Sequence, residues 1–169
     1  MAIGTSAICG TFKREILAGI HFLTAHTRTG SSAIGADTFK VAMFTNSSSI
    51  DADTTGYTTS NEVSGTNYTA GGTTFASVTI GLGDNSSSVP TAFVDAADTT
   101  WSSSTISSAR GALIYNSTLS TAGTGSTTNH AADPSVAVIN FGGDKASSAG
   151  DFTIQWPTND ANSAIIRIA

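Results

Sequence analysis

From residue 73 to the end, short apolar-leaning runs follow one another, separated by turn residues, and this pattern leaves few folds open. The runs are "TTFASVTI" (73–80), "TAFVDA" (91–96), "TTWSSSTIS" (99–107), "RGALIYN" (110–116), "SVAVINFG" (135–142), "GDFTIQWP" (150–157) and "SAIIRIA" (163–169). Between them stand "GDN" at 83–85, "GGD" at 142–144 and "TND" at 158–160, which are turn formers. "TFKVAMFT" (38–45) is a further run, in which Phe39, Val41 and Met43 alternate with Lys40, Ala42 and Phe44. About eight short antiparallel strands predict a mainly β protein, a β-sandwich or jelly-roll-like barrel.

Composition points the same way. Only 11% of residues are charged, while Ser and Thr together make 51 of 169. Sparse Lys and Glu deny most of the chain a solvated helical face, and Thr, Val and Ile suit strands. Disorder is excluded on the same numbers, because the net charge is only -5. A length of 169 residues suits one domain.

One amphipathic helix is expected near the N-terminus, over residues 11–25, "TFKREILAGIHFLTA". Phe12, Ile16, Ile20 and Leu23 recur at helical spacing, Leu17 widens the stripe, and Lys13, Arg14 and Glu15 lie mostly off it. Thr11 is the N-cap candidate, and Gly19 falls mid-helix, where a close approach to a neighbour would explain it. Residues 26–38 read as a polar linker. Two long hydroxyl-rich loops follow, 46–72 with one short strand near Glu62 and Val63, and 117–134. Loops of that length in a compact domain are usually functional.

In "RGALIYNST" (110–118), Ala112 and Ile114 face one way, Leu113 and Tyr115 the other, and both sets are apolar. That strand is expected to be central and covered on both faces. Arg110 then stands at the rim, either paired with Asp95 or Asp98 or serving as an interface anchor.

The residue types needed for catalysis are not arranged for it. His21, His26 and His130 have no ligand-grade spacing, and "DAD" at 51–53 lacks the continuation of a calcium loop. No Gly-X-Ser-X-Gly elbow occurs, and Asp95 and Asp98 read as turn-capping acids rather than a glycosidase pair. Neither an enzyme nor a cofactor or metal is expected. Cys9 is the only cysteine, so no internal disulfide can form. The acidic balance and seven scattered Lys and Arg argue against nucleic acid as a partner. No run approaches a membrane span, and the start lacks the basic and apolar regions of a secretion leader. Trp101, Trp156 and Tyr115 could form a sugar-stacking platform in a carbohydrate- or receptor-binding module, although core packing is the commoner fate of strand aromatics.

The ordered set "FKREILAGIHFL", "DTFKVAMFT", "YTTSNEVSGTNYTAGG", "ARGALIYNS", "VAVINFGGDKASSAGDFTIQWP" and "SAIIRIA" resembles a family of small β-rich virion structural proteins of tailed bacteriophages. The likeness runs over nearly the whole chain except the Ser/Thr-rich insert near 118–132. It implies a virion component assembled in the bacterial cytoplasm, foremost a capsid decoration (cement) protein bridging major capsid protein subunits, commonly as a homotrimer. A tail, neck, fibre or baseplate component is the alternative. On this view the anchors toward other virion proteins would be aromatic and Arg-rich: Phe12, Arg14, Ile20, Tyr57, Tyr68, Trp101, Arg110 and Arg167. The loop 46–72 would reach onto the capsid protein.

Overall fold

A computed structural model describes residues 3–27, 32–124 and 129–169; parts of the expected linker (28–31) and of the 117–134 loop (125–128) lie outside the described residues. The chain is mainly β. Its elements are β1 (Ala7–Ile8), α1 (Gly10–Leu17), β2 (Phe39–Phe44), β3 (Gly65–Thr66), β4 (Thr73–Thr74), β5 (Thr79–Asp84), β6 (Pro90–Asp95), β7 (Thr99–Asn116), β8 (Ser135–Ile154) and β9 (Ile166–Ile168). They form a larger antiparallel sheet in the order β1-β8-β7-β2-β4, with β3 added to β7, and a three-stranded sheet β5-β6-β9.

The long ribbon of β7 and β8 organises the larger sheet. The runs at 99–107 and 110–116 were expected as separate strands, and so were those at 135–142 and 150–157; each pair is one continuous strand. "GGD" at 142–144 is accordingly no turn but lies within β8. The reason lies in irregular residues: Ser103, Ser108, Gly142 and Ala149 have φ of 50°, 57°, 73° and 50°. The register between the strands shifts around them, between Trp101 and Ser104, Ile106 and Ala109, and Ala109 and Gly111. The shifts at Ser103 and Ser108 each add a residue to β7, so an inward row of Thr99, Trp101, Ser104, Ile106 and Ala109 stays inside although its period is broken. The bends also fold the ribbon back on itself. Phe141 and Phe152, eleven residues apart on β8, come within 6.3 Å between ring centres.

Residues 111–116 form the central stretch, paired with β2 on one side and β8 on the other, and all are buried. The expectation of a strand covered on both faces holds here. Gly111 lies where a Cβ would strike the Ile139 carbonyl and the Ile3 side chain, so only glycine fits between the strands. Arg110 reaches Asp144 across the ladder, Nη1 to Oδ1 at 3.4 Å. Neither expected partner pairs with it: Asp98 accepts from the Trp156 N–H, and Asp95 is buried at the end of β6.

The helix is shorter than its apolar stripe. It ends at Leu17 because Gly19, read as a mid-helix residue, takes φ +68° and closes the last turn. The Gly19 N–H donates to Ile16 O and the Ile20 N–H to Glu15 O, the two bonds of a Schellman stop. Among the described residues no neighbour crowds Gly19, so its backbone angle rather than a close approach explains it. Cys9, not Thr11, holds the N-cap position, without a side-chain cap bond. Ile20 and Leu23 therefore lie beyond the helix, on a segment that passes beside the small sheet.

"TTFASVTI" also divides, at Ser77 with φ +55°, into β4 and the start of β5. The sequence "GLGD" that follows continues β5. β5 and β6 form a hairpin in regular register from Thr79 opposite Asp95 to Asp84 opposite Pro90. Its turn is closed by Asn85 N–H to Val89 O (3.1 Å) and Ser88 N–H to Asn85 O (2.9 Å), with Ser88 at φ +57°. Val94 and Ile166 of this sheet are buried in the common core with Phe12, Phe39 and the residues of β2 and β7.

Candidate functional site

Two carboxylates organise the interior, and they are the only glutamates in the chain. Glu62 sits in the long 46–72 loop. Its Oε2 accepts from Tyr57 OH at 2.5 Å, and its Oε1 accepts from Tyr68 OH at 2.6 Å and from the Gly71 N–H at 2.8 Å. The Tyr68 oxygen in turn accepts the Met43 N–H of β2. Tyr115 donates to Gly71 O at 2.8 Å and stacks on Tyr57 with ring centres 4.5 Å apart. Burial, with the hydrogen bond to Glu62 second, drives the Tyr57 and Tyr68 phenols well above their ordinary range. Burial pushes Tyr115 up to about 12. Phenols held neutral keep the O–H that a carboxylate hub needs.

These bonds lay the loop along the outer edge of β2. Val63 N–H donates to Met43 O, Phe44 bridges Glu62, and Phe75 N–H donates to Phe39 O. Gly72 passes so close that a Cβ would strike the Val41 carbonyl. The loop expected to reach for a partner is, over this part, a cover for an exposed strand edge.

Glu15 on α1 anchors a second network. Its Oε2 lies 2.8 Å from His21 Nε2, and both side chains are fully enclosed. His21 Nδ1 lies 3.0 Å from Asn116 Nδ2, which also donates to Asp37 Oδ2 at 2.7 Å. Thr118 N–H donates to Asn116 Oδ1, which fixes the amide orientation and makes Nδ1 of the imidazole the acceptor. The ring proton therefore sits on Nε2 and is donated to Glu15. Burial holds His21 below its ordinary value of 6.5, and Glu15 opposes that shift. The Glu–His pairing resembles part of a catalytic relay, but both ring nitrogens are occupied by structural partners. It ties the helix to the end of β7.

Most of the expected anchors are engaged within the chain. Phe12, Tyr68 and Trp101 are buried, with Trp101 packed between Tyr68 and Phe152. Their side chains offer no surface to a partner. Tyr57 and Ile20 are half-buried. Arg14 bonds Glu15 and the Asn129 carbonyl, Arg110 bonds Asp144, and Arg167 bonds the Asn162 carbonyl. The network at Glu62 brings Tyr57 and Tyr68 together with Trp101; Phe12, Arg14 and Ile20 cluster around α1, and Arg110 and Arg167 stand apart.

The exposed apolar surface lies elsewhere. On one face of the small sheet stand Ile80 and Leu82 of β5, Ala92 and Val94 of β6, and Ile166 and Ile168 of β9, directly opposite one another in register. Val94 and Ile166 are buried, but Leu82 is 77% exposed, Ile80 53% and Ile168 52%. The inner part of this face lines a groove of about 410 Å³ whose other wall is Ile16, residues 21–24 and His26. The opposite face is closed: Phe93 lies over Gly81, and Asn159 and Asn162 reach back to Thr79 and Ser86. The alternation of Ile80 and Leu82 was the available signal. Leu82 falls outside the 73–80 run because "GDN" at 83–85 reads as a turn. A second concavity, a cleft of about 690 Å³ beside β8, holds Phe141, Phe152 and Trp156 with Lys145, Asp151 and Gln155.

Among the described residues, no group of three or more His, Cys, Asp or Glu is placed to hold a metal ion, and no helix is long and apolar enough to cross a membrane. No protein-family model, curated protein or solved structure matches the chain.

Proposed function

We propose that this chain is a structural protein of a phage virion, acting as a capsid decoration protein that bridges major capsid protein subunits. The observation that carries this reading is the bare apolar face at Ile80, Leu82 and Ile168, on a chain with only 11% charged residues. A freely diffusing protein usually carries more charge and hides such a row. A subunit held permanently in an assembly does not need to. The motif order resembling phage virion proteins supplies the assembly. The mechanism is burial: a contact above roughly 1,000 Å² with apolar anchors at its centre.

The test is copy number per particle, by quantitative mass spectrometry of purified virions against the major capsid protein. A ratio near one, or one to a few, supports decoration. A far smaller ratio moves the protein to the tail or neck, and absence from virions overturns the structural reading altogether. The cleft beside β8 favours a second reading, a module binding a sugar or receptor ligand. Its volume is in the range of small-molecule sites, and Trp156 with the polar groups around it supplies both stacking and hydrogen bonding. Trp156→Ala would then abolish glycan binding, whereas Trp101, inside the core, has no part in it.

A further inference from the structure

We propose that two copies of this chain join along the open edge of β5, antiparallel about a two-fold axis at Gly81, so that their three-stranded sheets become one continuous sheet. The case begins with how the chain treats its edges. The edge of β2 is covered by the 59–75 segment. The edge of β8 is open beyond its short pairing with β1, but Gly142 and Ala149 kink it, and Asp144, Lys145 and Asp151 are exposed along it. These are the devices that keep strand edges from pairing. β5 has none of them. It is the terminal strand of its sheet, keeps an unbroken register, and carries no charge before Asp84 and no proline.

The hydrogen-bond phase shows which groups are free. Asn85 and Val89 form a bonded pair at the hairpin end, so along the antiparallel ladder residues 83, 81 and 79 bond inward to β6. The backbone groups of Ile80, Leu82 and Asp84 therefore point outward. A second β5 antiparallel to the first can use them. With the axis at Gly81, Ile80 pairs with the partner's Leu82 twice over, and Thr79 lies opposite the partner's Gly83. The two Asp84 carboxylates fall at opposite ends, away from each other. The other register that pairs as many strand residues sets Ile80 opposite Asp84, an apolar–charge mismatch.

The same pairing joins the exposed apolar rows of both copies on one face and leaves the Phe93-covered face outside the contact. The strand is its own best complement, in shape, in polarity and in charge placement. The contact is two-fold, so it yields dimers and not the trimers that the phage resemblance implies. It does not rest on the virion reading. A dimer absent from virions would sink the proposed function and leave this contact standing, and the converse holds equally.

The experiment is sedimentation velocity on the full chain over a dilution series, with two variants. Leu82→Lys places a charge on an exposed side chain, so the fold should persist by circular dichroism while the dimer is lost. Thr79→Cys/Gly83→Cys should oxidise to a covalent dimer. These positions meet across the axis as closely spaced non-bonded pairs, but lie about 13 Å apart on one strand. Gly83 has room for the side chain, with its nearest neighbours 3.8 Å away. Dimer in the parent chain, monomer in Leu82→Lys and cross-linking of the double variant support the contact. A monomeric parent chain, an exclusively trimeric one, or a dimer that Leu82→Lys leaves intact and the cysteines do not cross-link would overturn it.

Discussion

Glu15 and Glu62 do the same task by different means. Each carboxylate pins a piece of irregular chain against the larger sheet. Glu15 is fully enclosed and receives an imidazole N–H and one guanidinium N–H. Glu62 is half-buried and receives two phenols and a backbone amide, with no cation among its partners in the described residues. The difference follows from depth. At the surface, water shares the work of solvating a carboxylate, and neutral donors complete its shell. In the interior no water helps, so every oxygen must find a strong donor.

The sharpest way to break this parallel is to delete each hub. Glu15→Ala should destabilise the chain by about 3 kcal/mol, because a bond to a charged acceptor is lost and the His21 N–H is left buried without a partner. Equilibrium denaturation measures it, and a loss below about 1 kcal/mol would mean that apolar packing of Phe12 and Ile16 holds the helix. Glu62→Ala should lose less, about 2 kcal/mol, since water can reach its donors. Its effect should also be local, with amide exchange rising over 57–72 while the β7 and β8 amides stay protected. Equal exchange in both regions would show that the loop and the sheet unfold as one.

The third test separates the hubs by pH. His21 has its folded value lowered by burial, so below about 6.5 the unfolded chain binds a proton that the folded chain refuses. Stability should therefore fall as pH drops from 7 toward 5, by at most about 1.4 kcal/mol per pH unit. Asp133, raised above 3.8 by burial, acts in the opposite sense, so the comparison is with His21→Gln, which removes only the first effect. Identical pH profiles for the parent chain and His21→Gln would refute the neutral-imidazole assignment. At the alkaline end the hub at Glu62 is exposed instead. Its tyrosines have raised folded values, so stability present below pH 10 is lost as pH climbs past it, with phenolate absorbance appearing together with unfolding.

Legibility in the sequence follows how local each feature is. The strands β2 and 111–116 were readable because their alternation is unbroken and both faces are apolar. The ribbon was not read as continuous, since Ser103, Ser108 and Ala149 are ordinary residues that adopt positive φ only within the paired strands. Gly19 was visible, but its meaning as a helix stop depended on its backbone angle. The two hubs join residues far apart in the chain, His21 to Asn116 and Tyr115 to Gly71, and no spacing rule connects them. The expected anchors follow from residue type alone. Large aromatics are also the best core fillers, and three of the eight went inside.

By itself the sequence determined the class: few charges, many hydroxyls and repeated two-residue alternation leave an antiparallel β protein with one N-terminal helix. That information is local, written in neighbouring side chains. The tertiary structure decided which runs fuse, which loop covers which edge, and which apolar row remains in solvent. Those outcomes depend on long-range pairing, where a single bulge shifts every later residue between inside and outside.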